Sequence, residues 1–100
     1  MADKFLEINS TKYETVYDFL KSVKTKEFGF DVLCKDNDCC CFGCESDIDG
    51  LLYKSLKRKM SKDVIKVKKF FSDIAKTEWY RITMNYENID DARKRAGAKE

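Results

Sequence analysis

The stretch LLYKSLKRKMSKDVIKVKKFFSDIAK, residues 51–76, is the longest run of the chain with one consistent helical phase. Counted at 100° per residue from Leu52, the side chains of Leu56, Met60, Val64, Val67, Phe70, Phe71, Ile74 and Ala75 fall within an arc of roughly 140°. Lys54, Arg58, Lys59, Lys62, Lys66, Lys68, Lys69 and Lys76 occupy the rest, with Lys57 at the edge of the arc, and beyond Leu52 Ile65 is the one apolar outlier. One helix of about thirty residues would be near 45 Å long and would overhang a small domain. Ser61, with Asp63 behind it, offers a break and a second cap. The spacing therefore predicts two helical pieces divided at Met60-Ser61, with an unbroken helix as the alternative. The β-branched run at 64–67 also allows a local strand.

Working outward, residues 78–86 (EWYRITMNY) alternate as a strand, with Tyr80, Ile82, Met84 and Tyr86 inward and Trp79, Arg81, Thr83 and Asn85 outward. Residues 27–35 (EFGFDVLCK) alternate in the same way, with Phe28, Phe30, Val32 and Cys34 on one side. Asp36, Asn37 and Asp38 are turn formers, so residues 39–45 (CCCFGCE) read as the returning strand of a hairpin. A short alternating run at 4–8 (KFLEI) reads as a first strand. Thr11 and Glu14 have capping-box spacing before a helix over about 12–23. The order is strand, helix, strand, strand, helix, strand. It predicts an α+β ferredoxin-like βαββαβ sandwich, with a four-stranded antiparallel sheet and helices on one face. Residues 1–87 form one domain on this reading, and 88–100 a polar, mobile tail.

The net charge of +2 hides an asymmetry. Residues 1–50 carry six lysines against eleven acids, a net of −5, and residues 51–100 carry fourteen Lys and Arg against seven acids, a net of +7. Such a split points to nucleic acid or to an acidic partner. The absence of histidine excludes Ser-His-Asp and Cys-His catalysis, and the four glycines are too scattered to cradle a phosphate. A non-enzymatic, cytoplasmic protein without a membrane span is expected.

Five cysteines, Cys34, Cys39, Cys40, Cys41 and Cys44, stand within eleven residues. Cys41-x-x-Cys44 has knuckle-like spacing, and Cys34 and Cys39 could complete a four-thiolate zinc site. Hairpin alternation opposes this. It pairs Cys34 with Cys39 and Val32 with Cys41, which sets Cys34, Cys39 and Cys41 on the core face and Cys40 and Cys44 on the other. Small apolar packing residues are the plainer account of these thiols.

The main functional expectation is a binding protein whose basic helical surface engages RNA or DNA phosphates. Lys54, Lys57, Arg58, Lys59, Lys62, Lys66, Lys68 and Lys69, with Arg81, would carry that surface. The outward positions of the strands lack the aromatic pair of sheet-face RNA-recognition modules, so sheet-face binding is not expected. In composition the chain is similar to small bacteriophage accessory proteins. That resemblance implies a stoichiometric inhibitor or antitoxin-like factor, blocking an acidic or nucleic-acid-binding protein of the host. A zinc-stabilised module is the third reading. A homodimer would follow if the apolar stripe of 51–76 stayed unbroken.

Overall fold

The computed structural model describes residues 13–23 and 27–95. The expected strand at 4–8 and the Thr11 cap lie outside them, as do 96–100 of the expected tail. The elements are α1 (Val16–Lys21), β1 (Phe28–Leu33), β2 (Cys39–Cys44), α2 (Tyr53–Lys57), β3 (Val64–Ser72), β4 (Thr77–Met84) and α3 (Ile89–Arg95). Two 3₁₀ turns, Glu45–Asp47 and Ser61–Asp63, flank α2.

The four strands form a mixed sheet in the order β2-β1-β4-β3. The β1–β2 and β3–β4 pairs are antiparallel hairpins, while the central pair, β1 and β4, is parallel. This overturns the expected antiparallel ferredoxin-like sandwich. The decisive difference lies in residues 64–72, which form a nine-residue strand and not the second half of a basic helix. Five of those nine positions are β-branched or aromatic, and β4 supplies a partner of matching length. The stretch 51–76 does break at Met60-Ser61, but only five residues on its N-terminal side are helical.

A β-bulge explains how the strand imitated a helix. Val64 pairs with Met84 and Lys66 with Thr83, leaving Ile65 as the extra residue. The bulge stretches the inward spacing from two residues to three, so Val64 and Val67 both face the core. A three-residue apolar spacing is also what a helix presents. Ile65, the outlier of the helical reading, is half exposed on the bulge.

With β2 and β3 on opposite edges, the segment between them must cross the sheet. Three inter-strand spacings make that distance about 14 Å. The two 3₁₀ turns and α2 cover it on one face. There α1 joins them, its first turn closed by a capping box: Thr15 Oγ1 accepts from Asp18 N–H (3.2 Å) and Asp18 Oδ2 accepts from Thr15 N–H (3.2 Å). Backbone bonds from Val16 N–H to Lys59 O (2.8 Å) and from Ser61 N–H to Glu14 O (3.0 Å) tie α1 to the crossover.

The core lies between these helices and one face of the sheet. Phe28, Phe30, Val32, Cys34, Val67, Tyr80, Ile82, Met84 and Tyr86 pack there against Val16, Phe19, Leu20, Ile48 and Leu56. Every inward position expected for β1 and β4 is buried. Residues expected as tail contribute too, because α3 buries Ala92 and packs Ile89 against the core. Among the described residues no helix is long and apolar enough to cross a membrane.

The β3–β4 turn, residues 73–76, brings Lys76 into the left-handed region at φ 60°. An L-residue there costs about 1–2 kcal/mol, partly offset against the entropy glycine loses on folding. Lys76→Gly is expected to raise the unfolding free energy by roughly 0.5–1 kcal/mol in urea titrations, and Lys76→Val to lower it. A glycine variant less stable than the parent would contradict this turn.

Candidate nucleic-acid interface

The face of the sheet opposite the helices is built in three cross-strand rows. Each row takes one outward residue from every strand in the order β2, β1, β4, β3. The first is Cys44, Gly29, Trp79 and Phe70; the second Phe42, Asp31, Arg81 and Lys68; the third Cys39, Leu33, Thr83 and Lys66. Alternation along each strand produces this surface, because the inward neighbours on β1, and Tyr80, Ile82 and Met84 on β4, are claimed by the core. The second and third rows, with Trp79 and Asn37, line a shallow concavity of about 720 Å³.

Two contacts hold the surface in shape. In the first row the Trp79 indole lies against Gly29, so closely that a Cβ on residue 29 would stand 2.2 Å from Trp79 Cζ3. Only glycine admits the ring. The indole Nε1–H is buried with no acceptor, the one such side-chain atom among the described residues. In the second row Arg81 grips Asp31 through a fork. Nε donates to both carboxylate oxygens (3.2 Å each) and Nη2 to Oδ2 (3.0 Å). Asp31 is nearly buried, and Arg81 is about half exposed. The carboxylate holds the guanidinium pKa above its ordinary value, and the pair cancels the acid at the centre of the face. The outer side of the fork meets Phe70, with Arg81 Cζ 5.3 Å and Lys68 Nζ 5.6 Å from the ring centroid.

The expected binding residues divide. Lys66, Lys68 and Arg81 come together on this open face, joined by Trp79 of the β4 reading and by Phe42 and Phe70, which that reading alone could not supply. Phe42 is 65% exposed, and Phe70 was assigned to a buried helical arc. A bulge-tolerant alternation test over 64–72 was the signal that could have found Phe70. The other cations lie elsewhere. Lys69 faces the helix side, 5.9 Å from the Tyr80 ring centroid, and Lys62 is exposed on the second 3₁₀ turn. Lys54, Lys57, Arg58 and Lys59 belong to α2 and its C-terminal end, where Lys57 Nζ stands 4.7 Å over the Tyr17 ring. Tyr17 in turn donates to Asp49 Oδ1 (2.5 Å), which pushes its phenol up to about 12.

The cysteines do not converge. A second bulge, between Val32 and Leu33, pairs Leu33 with Cys39 and Val32 with Cys41. The Val32–Cys41 pair is as expected, but the irregularity turns Cys39 outward and Cys40 toward the core. Cys34 and Cys40 then stand Sγ to Sγ at 3.3 Å, while Cys39 and Cys44 are exposed. Among the described residues no three His, Cys, Asp or Glu side chains are grouped to hold a metal ion. Burial first, and the hydrogen bond to Cys40 second, push the Cys34 thiol up to about 12. Burial raises Cys41 as well. Both are protonated thiols at neutral pH, the form in which cysteine is a poor ligand and a poor nucleophile.

Trp79 is the only tryptophan of the chain, so its fluorescence reports this surface alone. Gly29→Ala is expected to displace the indole, shift its emission to longer wavelength and cost about 1–3 kcal/mol. Adding Trp79→Ala should recover most of that cost. An unshifted emission with unchanged stability would contradict the packing of Trp79 on Gly29. Comparison of the chain with protein-family models, with curated proteins and with solved structures finds no match.

Proposed function

We propose that this protein binds single-stranded nucleic acid on the open face of its sheet, without catalysing a reaction. The observation that carries the reading is the interleaving of Phe42, Phe70 and Trp79 with Lys66, Lys68 and Arg81 over three adjacent cross-strand rows. Single strands are held by two cooperating forces, stacking of bases on aromatic rings and neutralisation of phosphates by cations. This face offers both in and beside a concavity, and the single acid of its three rows, Asp31, is already neutralised by Arg81. Stacking tolerates any base, so the expected binding is broad in sequence. A duplex would present phosphates but no free base faces, and is expected to bind more weakly.

The reading moves the binding surface from the helices to the sheet. On α2, Lys57 is engaged over the Tyr17 and Tyr53 rings, and Lys59 is buried. On the sheet, Lys66 and Lys68 are exposed and make no ion pair among the described residues, and Lys68 stands beside the Phe70 ring. The break at Met60-Ser61 also removes the continuous apolar stripe that motivated a homodimer.

The test is a titration of a fluorescent single-stranded oligonucleotide over a range of salt concentrations. Lys66→Gln and Lys68→Gln should each reduce the slope of log affinity against log salt by about 0.7. Phe42→Ala, which removes an exposed ring and no core contact, should weaken binding by roughly 5- to 100-fold, the equivalent of one stacked base. Lys54→Gln on α2 should leave affinity nearly unchanged. Equal losses for α2 and sheet variants, or no binding at low salt, would overturn the proposal.

A further inference from the structure

A second cavity, of about 370 Å³, lies on the helix side of the sheet between β2, α2 and α3. Its lining includes Arg58, Lys59 and Arg93, together with Ser55 and Cys40, and contains no acid among the described residues. Lys59 is the telling residue, because it is 95% buried, with only 5% of its surface exposed. Lysine is almost never buried to that extent without an anionic partner. Yet among the described residues Lys59 makes no ion pair. Its ammonium group donates to Ser55 O (3.3 Å) and Ser55 Oγ (2.9 Å), two neutral acceptors of the same residue. An ammonium has three donors, so one remains for a ligand. The nearby thiol of Cys41, held protonated by burial, supplies no negative charge.

We infer that this cavity is a binding site for the phosphate group of a small phosphorylated molecule. Lys59 would be the buried anchor, and Arg58 and Arg93 the cations at the exposed mouth. Two guanidinium forks suit a tetrahedral oxyanion, and the remaining ammonium donor would be its third cationic contact. The volume is at the small end of the range for small-molecule sites, enough for a phosphate with a modest organic group. The site is separate from the open face and goes beyond the nucleic-acid reading, although Cys39 borders both cavities.

The test compares melting temperatures in inorganic phosphate and in sodium chloride at equal ionic strength, using the whole chain. Phosphate at tenfold excess over its dissociation constant is expected to raise the melting temperature by about 5 °C or more above chloride. Lys59→Met, which keeps the length and removes the charge, should abolish that difference and melt higher than the parent in chloride. The paired variant Arg58→Ala/Arg93→Ala changes only exposed residues and should also lose the phosphate response. Equal melting in phosphate and chloride, or a response kept in both variants, would overturn the site. Oligonucleotide affinity identifies the source of the phosphate. Unchanged affinity in Lys59→Met supports a free small ligand, and a loss of tenfold or more would assign the anion to a nucleic-acid backbone and overturn the small-molecule reading.

Discussion

The parallel pairing of β1 with β4 at the centre of the sheet is the constraint on which the remaining structure depends. Two parallel strands cannot be joined by a tight turn, so each is paired outward with its own hairpin partner. The hairpins leave β2 and β3 on opposite edges, and the chain must cross the sheet to connect them. That crossing covers one face with α2 and its flanking 3₁₀ turns, and α1 and α3 join the same layer. The opposite face carries the open concavity. The register of the central pair is reinforced there by two contacts between directly opposed residues, Trp79 on Gly29 and Arg81 on Asp31. The interactions that align β1 with β4 are thus the ones that shape the candidate binding surface.

Electrostatics on that surface follows from the same alignment. A nearly buried Asp31 in the middle of a sheet would be costly alone and would repel phosphates. Opposite Arg81 it is paired through a fork, and the guanidinium keeps its other side for Phe70. Lys66 and Lys68 add charge on β3, an edge strand, where lysine also discourages edge-to-edge association. On the proposed function, one set of residues would answer to both edge protection and ligand attraction. The helix side presents the opposite case. There Lys59 is buried without a counter-charge among the described residues, an arrangement that the proposed phosphate would complete.

The sequence alone made β1, β2 and β4 legible to within two residues, together with the inward faces of β1 and β4, because clean alternation over six or more positions is hard to mistake. The break at Met60-Ser61 was legible as well. The topology was not, and the failures trace to bulges. At Ile65 one extra residue turned a period of two into a spacing of three, so a strand with lysines on its outer face resembled an amphipathic basic helix. At Leu33 the irregular pairing exchanged the faces of Cys39 and Cys40. Treating β3 as helix also concealed Phe70, so the open face appeared to lack the aromatics it has. The cations Lys66, Lys68 and Arg81 were visible from composition; their union with Phe42, Phe70 and Trp79 needed the sheet order. Lys59 gave no signal, since a buried lysine reads like any other in a basic run.

The central claim is that the open face, and not the helical layer, receives a single strand. It is tested most directly by mapping amide and aromatic NMR shifts during addition of a short single-stranded oligonucleotide. The account expects the changes to concentrate on Phe42, Lys66, Lys68, Phe70, Trp79 and Arg81, with α1 and α2 nearly silent. Changes confined to α1 and α2, or none at concentrations well above those of the titration, would contradict it.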